Sequence, residues 1–273
     1  MLSYKQNLHT HTIYCDGKNT PGEMVEKAIE LGFDTIGFSG HSNTVFDIDW
    51  HMTPENNQRY IEEIKGLKAE YQDRISVLLG LEYEMYSDTP SEGYDCVIGS
   101  MHFMKTPEGI FSFDERGDVV REFIDHHFAG DGMAFAKEYY AQLATLPQYG
   151  KFDFVGHFDL ITKHNKNFRF FDTEKKEYRD AALACLHALS EKQQVFEVNT
   201  GAIARGYRTT PYPAPFILKE MKNLGLTVIL TSDCHNRDKL DCHYKESMEL
   251  IKACGFDSVG VMRNGKFVEE KIG

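Results

Sequence analysis

Short apolar segments alternate with amphipathic segments along the whole chain. Eight apolar segments rich in β-branched and aromatic residues predict strands, at residues 6–9, 35–39, 75–81, 96–100, 152–156, 195–199, 228–231 and 258–262. Between them, apolar residues recur at the spacing of one helix face. The predicted helices include residues 53–71, 133–146, 175–190, 214–223 and 245–253.

The first helix has clear terminal signals. Thr20 is placed to cap its amino end, Pro21 takes the first helical position, and Glu23 completes a capping box. Gly32 follows the apolar stripe and predicts the end of the helix. The same alternation of strand and helix continues to the end of the chain.

Seven or eight strand-then-helix units predict an α/β fold, namely a (β/α) barrel built from one domain, residues 1–273. The carboxyl ends of the strands then share one face, where the active sites of such barrels form. Residues 103–130 predict a long irregular insertion after the fourth strand. An insertion at this place is a candidate lid or substrate loop.

Composition narrows the choice of partners. The formal net charge is −12, with no dense block of lysine and arginine. Duplex-binding proteins usually present a basic stripe, so no nucleic-acid partner is expected. No apolar run predicts a membrane span or an export signal. The six cysteines are widely spread, which is typical of reduced thiols in the cytoplasm. A homo-oligomer is left open.

Side chains that bind metals stand at the end of strand after strand. His9 and His11 close the first strand, and because residues i and i+2 of an extended chain point the same way, both imidazoles can reach one ion. The other donors at or after strand ends are Asp16, His41, Glu82, His102, His157, Asp233 and His235. Each of these alone is more often a surface residue or a cap. Together they favour a metal cluster, because the carboxyl ends of all barrel strands lie on one face.

The motifs resemble those of the polymerase and histidinol phosphatase (PHP) superfamily, and within it most closely the monofunctional histidinol-phosphate phosphatases. The resemblance spans nearly the whole chain, and its clearest segments are residues 9–12, 152–160, 197–200, 212–215 and 232–235. It implies a distorted (β/α)7-type barrel of the PHP kind. The active site is then expected at the carboxyl ends of the strands.

The resemblance also implies three divalent metal ions, which would be zinc, iron or manganese. The implied ligands form three sets, in which Glu82 is shared: His9, His11, Glu82 and Asp233; Glu82, His102 and His157; Asp16, His41 and His235. The position of Asp16 is a histidine in some relatives. Three such ions would supply the positive charge that a phosphate needs and that the acidic chain lacks.

The activity implied by the resemblance is a phosphatase. It would hydrolyse L-histidinol phosphate, a small phosphorylated substrate, to L-histidinol and phosphate in histidine biosynthesis. The expected reaction is in-line attack on phosphorus by a metal-bridging hydroxide. Glu82, Asp233 and His235 are the predicted catalytic residues.

Six residues are predicted to contact the substrate: Arg205, Arg208, Ser42, Asn43, Asn199 and His243. A guanidinium can grip two phosphate oxygens at once. Arg205 is therefore the candidate phosphate clamp, with a surface arginine as the alternative. Ser42 and Asn43 could donate hydrogen bonds or simply turn the chain. Asn199 and Glu197 could support a ligand, recognise an imidazole or cap a strand.

Three other functions stay open. Another PHP phosphoesterase would act on nucleotides, oligonucleotide ends or phosphotyrosine. An amidohydrolase-type enzyme, which cleaves C–N bonds, also starts with His-x-His and ends with a strand-end aspartate. Such enzymes often carry a carbamylated lysine at the end of the fourth strand, where this chain has His102. A non-catalytic PHP scaffold tends to lose ligands, whereas all nine positions carry a suitable ligand here.

Overall fold

The computed structural model describes residues 3–46 and 50–273. The strands of these residues are β1 (Gln6–Asn7), β2 (Thr35–Phe38), β3 (Ser76–Glu84), β4 (Cys96–Ser100), β5 (Phe103–Thr106), β6 (Gly109–Ser112), β7 (Phe154–Val155), β8 (Val195–Asn199), β9 (Thr227–Thr231), β10 (Ser258–Arg263) and β11 (Lys266–Lys271). The α-helices are α1 (Pro21–Glu30), α2 (Pro54–Glu70), α3 (Gly117–Phe128), α4 (Gly132–Leu143), α5 (Asn165–Phe168), α6 (Lys176–Ser190), α7 (Gly201–Ala204), α8 (Pro215–Asn223) and α9 (Tyr244–Ala253). None of these described helices is long and apolar enough to cross a membrane.

Seven parallel strands form the central sheet, in the order β1, β2, β3, β4, β7, β8, β9. The two edges meet where Thr10 pairs with Cys234 in an isolated parallel bridge, and the His11 amide donates to the Cys234 carbonyl at 2.9 Å. The Asn7 side-chain amide also donates to the Ser232 hydroxyl at 2.6 Å. The sheet is therefore a nearly closed barrel, and the predicted (β/α)7-type fold is confirmed.

Helix α1 begins where the sequence indicates. The Glu23 amide donates to the Thr20 hydroxyl at 3.3 Å, and the Thr20 amide donates to the Glu23 carboxylate at 3.0 Å, so the capping box forms. Its buried face contains Met24, Val25 and Ala28. Burying side chains such as methionine and valine contributes roughly 1.5–3 kcal/mol each. This face joins the large apolar core between the helices and the barrel.

A smaller apolar core fills the barrel interior: Leu8, Cys96, Ile98, Phe154, Ile229 and Met262. Met262 belongs to β10, outside the barrel sheet. The Gln6 side chain fixes β10 in place, because its amide donates to the Gly260 carbonyl at 3.0 Å and its oxygen accepts from the Met262 amide at 2.8 Å. Since Gln6 begins β1, β10 covers the amino ends of the strands and leaves their carboxyl ends for a site.

The strand predicted at residues 258–262 forms, but it is not an eighth barrel strand. It pairs antiparallel with β11, a strand that the sequence analysis missed. Asn264 and Gly265, both with positive φ, make the tight turn between them. Strand β11 consists mostly of charged residues, and its two apolar residues are adjacent. Its sequence therefore lacks the alternation of apolar and polar positions that predicts a strand.

The insertion at residues 103–130 is not irregular as predicted. It contains the hairpin β5–β6 and helix α3. Helix α3 buries Val120, Phe123 and Ile124, which recur at the spacing of one helix face. The missed signals were this stripe and Gly109, whose φ of 147° suits a turn that other residues rarely make.

Candidate functional site

The nine predicted ligands come together at the carboxyl ends of the barrel strands: His9, His11, Asp16, His41, Glu82, His102, His157, Asp233 and His235. Four overlapping groups of these residues each bring one donor atom per residue within 4.8 Å of the others. The largest group contains four of the nine. Residues more than two hundred positions apart thus form one polar cluster.

Glu82 lies at the centre of this cluster, and its side chain is 1% exposed. One carboxylate oxygen lies 2.8 Å from Nε2 of His157 and 3.4 Å from Nε2 of His102. The other lies 3.0 Å from Nδ1 of His41 and 3.2 Å from Nε2 of His9. Imidazole groups therefore approach Glu82 from several barrel strands at once.

Asp16 lies nearer the mouth of the site, with a side chain 32% exposed. Its carboxylate is 2.9 Å from Nε2 of His235 and 3.6 Å from Nε2 of His41. It is also 3.6 Å from Nδ1 of His11. One carboxylate and three imidazoles thus form a second centre beside the one around Glu82.

A tight turn places Asp16. The amides of Cys15 and Gly17 both donate to the Thr12 carbonyl, each at 3.0 Å. A Cβ atom on Gly17 would lie 2.4 Å from the Thr12 nitrogen and 2.5 Å from the His11 carbonyl carbon. The backbone therefore has no room for a side chain at position 17.

We expect Gly17→Ala to lower the free energy of unfolding by roughly 1–3 kcal/mol, the usual cost of forcing an extra carbon into a packed place. Gly22→Ala is the matched control, because a Cβ at position 22 of helix α1 would meet nothing within 4 Å. That variant should be as stable as the parent or slightly more stable. Urea unfolding followed by circular dichroism measures both. Equal stability of the two variants would contradict the packing argument.

Asp233 links the cluster to Arg205. Its carboxylate lies 3.3 Å from Nε2 of His11 and accepts from Nη2 of Arg205 at 3.0 Å. Nη1 of Arg205 lies 3.0 Å from Nδ1 of His235. Asp233 has a φ of 46°, which is strained for a residue with a side chain. Strain of this kind is held where the surrounding contacts fix it, often at functional sites.

Two further carboxylates orient the histidines from outside the cluster. Glu197 lies 2.6 Å from Nδ1 of His9 and accepts from the His157 amide at 2.7 Å. Glu84 accepts from the His102 amide at 2.8 Å and lies 3.0 Å from Nδ1 of His102. A carboxylate behind an imidazole fixes its ring orientation and makes it a better metal ligand. Sequence reasoning missed Glu84, although it stands two residues beyond Glu82 on the same strand face.

The electrostatics keep the central carboxylates ionised. Burial alone would raise the pKa of Glu82, but His9, His41 and His102 hold it well below its usual value. Burial likewise opposes ionisation of Asp233, and Arg205 and the imidazoles hold its pKa well below the usual value. In contrast, burial and the nearby histidines lower the pKa of His11 to about 3. The cluster therefore offers negative oxygens and, at His11, a neutral imidazole nitrogen. At His9 and His102 burial alone would lower the pKa, but the neighbouring carboxylates raise it, to about 10 for His102.

These donors fit divalent cations. Within residues 3–46 and 50–273, three metal-binding atoms of the cluster are buried and have no hydrogen-bond partner: Nε2 of His9, Nε2 of His11 and Oε2 of Glu82. Buried polar atoms in proteins are normally paired, and donors that converge without a partner are suited to binding an ion. Neutral imidazole with carboxylate suits zinc, iron or manganese.

A cleft of about 410 Å³ opens over the cluster, and Arg205 lines it. The wall also contains Asp114 and Glu115, from the insertion that was predicted as a lid or substrate loop. Sequence reasoning missed five further wall residues: Lys18, Trp50, Leu160, Lys163 and Tyr207. Trp50 stands edge-on to His41, with ring centres 4.5 Å apart. Nζ of Lys163 lies 2.7 Å from the Asp114 carboxylate. Most of these residues lie on loops, where the repeating apolar pattern gives no signal.

The other predicted substrate contacts lie outside this wall. Ser42 is buried and accepts from the Glu84 amide at 2.9 Å. The Asn43 carbonyl accepts from the Ser87 hydroxyl at 2.6 Å. Asn199 is buried and donates to Glu197 at 2.9 Å. The side chains of Ser42 and Asn199 are therefore placed to support the site, and the backbone of Asn43 holds the segment at Ser87.

Arg208 and His243 are also turned away from the cleft. Arg208 is 10% exposed, lies 3.4 Å from the Asp159 carboxylate and sits 4.4 Å from the centre of the Tyr212 ring. His243 precedes helix α9 and is 39% exposed, 4.0 Å from Glu246. Arg205 is the one predicted substrate contact among the described residues that lines the cleft.

Known proteins resemble this chain over most of its length. Histidinol-phosphatase of Bacillus subtilis (strain 168) is 28% identical over 269 residues, covering 90% of this chain and 98% of the relative. A candidate histidinol phosphatase from Listeria monocytogenes has a TM-score of 0.73 at 20% identity, covering 89% of this chain and 99% of that one. Histidinol phosphate phosphatase from Lactococcus lactis, solved with zinc, L-histidinol and phosphate, has a TM-score of 0.71 at 22% identity, covering 97% and 98%.

The two solved structures share the fold of this chain. The family assignment comes from the sequence, because the family model of the PHP domain matches residues 7–201, well over half of the chain. That match includes all nine donors except Asp233 and His235. The chain therefore belongs to the PHP domain family.

Proposed function

We propose that this protein is a metal-dependent phosphatase that hydrolyses L-histidinol phosphate to L-histidinol and phosphate. The observation that carries the proposal is the buried set of imidazole and carboxylate donors around Glu82, in a chain of the PHP family. The similarity to the Bacillus subtilis histidinol-phosphatase over nearly all of that protein supports the substrate. The Lactococcus lactis protein, which binds zinc, L-histidinol and phosphate, supports both metal and substrate.

Three divalent ions are proposed, with zinc, iron and manganese as the candidates. The proposed ligand sets share Glu82: His9, His11, Glu82 and Asp233; Glu82, His102 and His157; Asp16, His41 and His235. Divalent ions bound there would polarise the phosphate oxygens and acidify water for the attack on phosphorus. Glu82, Asp233 and His235 are the proposed catalytic residues because, as metal ligands, they would hold the ions and the attacking water in position beside the phosphate.

The chain's own residues then bind and orient the phosphate. Arg205 uses part of its guanidinium on Asp233 and on the backbone carbonyl of the same residue. A guanidinium has five N–H donors, so others remain for phosphate oxygens in the cleft. Asp233 holds the guanidinium at a fixed angle, which lowers the entropy that phosphate binding would cost.

The size of the cleft favours a small substrate. Pockets for small molecules usually measure about 300–1,000 Å³, and the cleft over the cluster measures about 410 Å³. The cleft wall holds both cations, such as Arg205 and Lys163, and anions, such as Glu115. This mixture suits a small ester that carries both phosphate and positive charge.

Metal loading and a substrate panel test the proposal. Protein reconstituted with manganese, zinc or iron should release phosphate from L-histidinol phosphate with a kcat/KM at least about tenfold above that for nucleoside monophosphates or phosphotyrosine. Treatment with a chelator should abolish the release, and adding the metal back should restore it. Equal rates on all substrates would reject the assignment of substrate. Full activity in protein that metal analysis shows to be metal-free would reject the metal cluster.

A further inference from the structure

A second group of metal-binding side chains lies on the surface of the insertion. Glu108, His126 and His127 each offer one donor atom, and these three atoms lie within 4.8 Å of one another. Glu108 stands in the turn of the hairpin β5–β6, and the two histidines lie in the last turn of helix α3. None of the three belongs to the nine donors at the barrel mouth. The group therefore joins two elements of the insertion at a place of its own.

The three donors are already held near one another. Nε2 of His126 lies 3.1 Å from the Glu108 carboxylate. The Glu108 amide donates to the Thr106 hydroxyl at 3.1 Å, which fixes the turn that presents the carboxylate. The His127 ring packs against the Phe111 ring of strand β6, with ring centres 5.0 Å apart. Because these contacts already restrict the side chains, an ion bound there would cost less conformational entropy.

The donor types select the class of metal. Imidazole nitrogen binds zinc and other late transition metals well, whereas calcium and magnesium prefer oxygen ligands only. Two imidazoles and one carboxylate are a set that zinc accepts, with water in its fourth position. Both histidines also stand at the carboxyl end of a helix of 12 residues. The partial negative charge of a helix at that end favours a cation.

We propose that Glu108, His126 and His127 bind one zinc ion, with water completing its coordination. The ion would lie between the His126 nitrogen and the Glu108 carboxylate, in place of their direct contact. It would link the turn of the hairpin β5–β6 to the end of helix α3. The insertion also supplies Asp114 and Glu115 to the cleft wall, so the ion would brace a segment that borders the cleft. This site does not depend on the proposed phosphatase activity.

The first test counts the zinc bound by the whole chain in equilibrium dialysis. We expect His126→Gln to bind one zinc equivalent fewer than the parent at about 10 µM free zinc, whatever number the cluster binds. His187→Gln is the matched control. His187 is 54% exposed and lies 2.8 Å from Glu220, but among the described residues that pair belongs to no group of three donors. This control should bind as much zinc as the parent.

The second test places the ion on the chain. Carbonethoxylation labels free imidazoles, and peptide mass spectrometry shows which histidines react. Zinc should protect His126 and leave the labelling of His187 unchanged, because only the first would be a ligand. Equal zinc content in the parent and His126→Gln would overturn the site. Equal loss of zinc in both variants would also overturn it, because any exposed histidine would then bind zinc. Neither test measures turnover, so failure of the proposed function would leave this result unaffected.

Discussion

Replacing Glu82 with glutamine is expected to lower kcat/KM for L-histidinol phosphate by more than about 100-fold, since even residues behind metal ligands cost 10–100-fold. The carboxylate contacts histidines from several strands, and its two oxygens serve different neighbours. An amide keeps the shape but loses the negative charge and one acceptor oxygen. The proposed shared ligand of two metal ions would then be lost. Phosphate release and metal content measured on the same preparation check this result.

The Glu82→Gln experiment needs proof that the barrel survives. Circular dichroism should match the parent, because the substitution preserves volume at a fully buried position. Glu30→Gln is the matched control, since Glu30 is exposed at the end of helix α1 and pairs only with Lys27 among the described residues. Its activity and metal content should be unchanged. Full activity and metal content in a folded Glu82→Gln protein would remove Glu82 from the centre of the proposed site.

The barrel could be predicted because its strands are short, apolar and evenly spaced. Strands β4 and β8 fall at the predicted residues, and β9 begins one residue earlier. Strands β1 and β7 were predicted too long, since each has only two residues in ladder pairing. Apolar character marks where a chain is buried, whereas a strand ends where its hydrogen-bonded partner ends. The end of a strand therefore depends on a neighbouring strand that the local sequence does not show.

The last strand could not be predicted for a related reason. Strand β11 is largely exposed, so its sequence has no apolar face to detect. Its position depends on β10 and on the interior residues that the hairpin covers. The pattern of buried residues specifies elements that pack on two sides. It says little about an edge hairpin that closes one end of a barrel.

The ligand positions could be predicted because topology groups strand ends. Each donor lies near or after the carboxyl end of a barrel strand, and parallel strands place all their carboxyl ends on one face. The wall residues of the cleft could not be predicted in the same way. Trp50 and Lys163 reach the cleft from loops whose paths depend on tertiary packing. Arg208 has a side chain suited to phosphate, but the buried Asp159 carboxylate lies 3.4 Å from it, and Arg208 does not line the cleft.

Arg205 should matter second only to the cluster itself. We expect Arg205→Ala to lower kcat/KM by about 100–1,000-fold, the cost of removing a donor that stabilises developing charge in an enclosed site. Arg205→Lys keeps the charge but loses the paired N–H groups, so it should retain more activity than the alanine variant. Steady-state phosphate release gives kcat and KM separately. Because the guanidinium is proposed to contact phosphate in the transition state, the loss should appear in kcat as well as KM.

Chemical rescue separates a direct role of Arg205 from a structural one. Adding guanidinium ion should restore part of the activity of Arg205→Ala, because the cavity left beside Asp233 fits that ion and pairs it with the carboxylate. Arg263→Ala is the control, since Arg263 pairs with Glu270 on the hairpin beyond the opposite end of the barrel. That variant should keep the parent's kcat/KM. An Arg205→Ala protein that loses activity through lost metal, and that guanidinium does not rescue, would show that Arg205 acts only by holding Asp233.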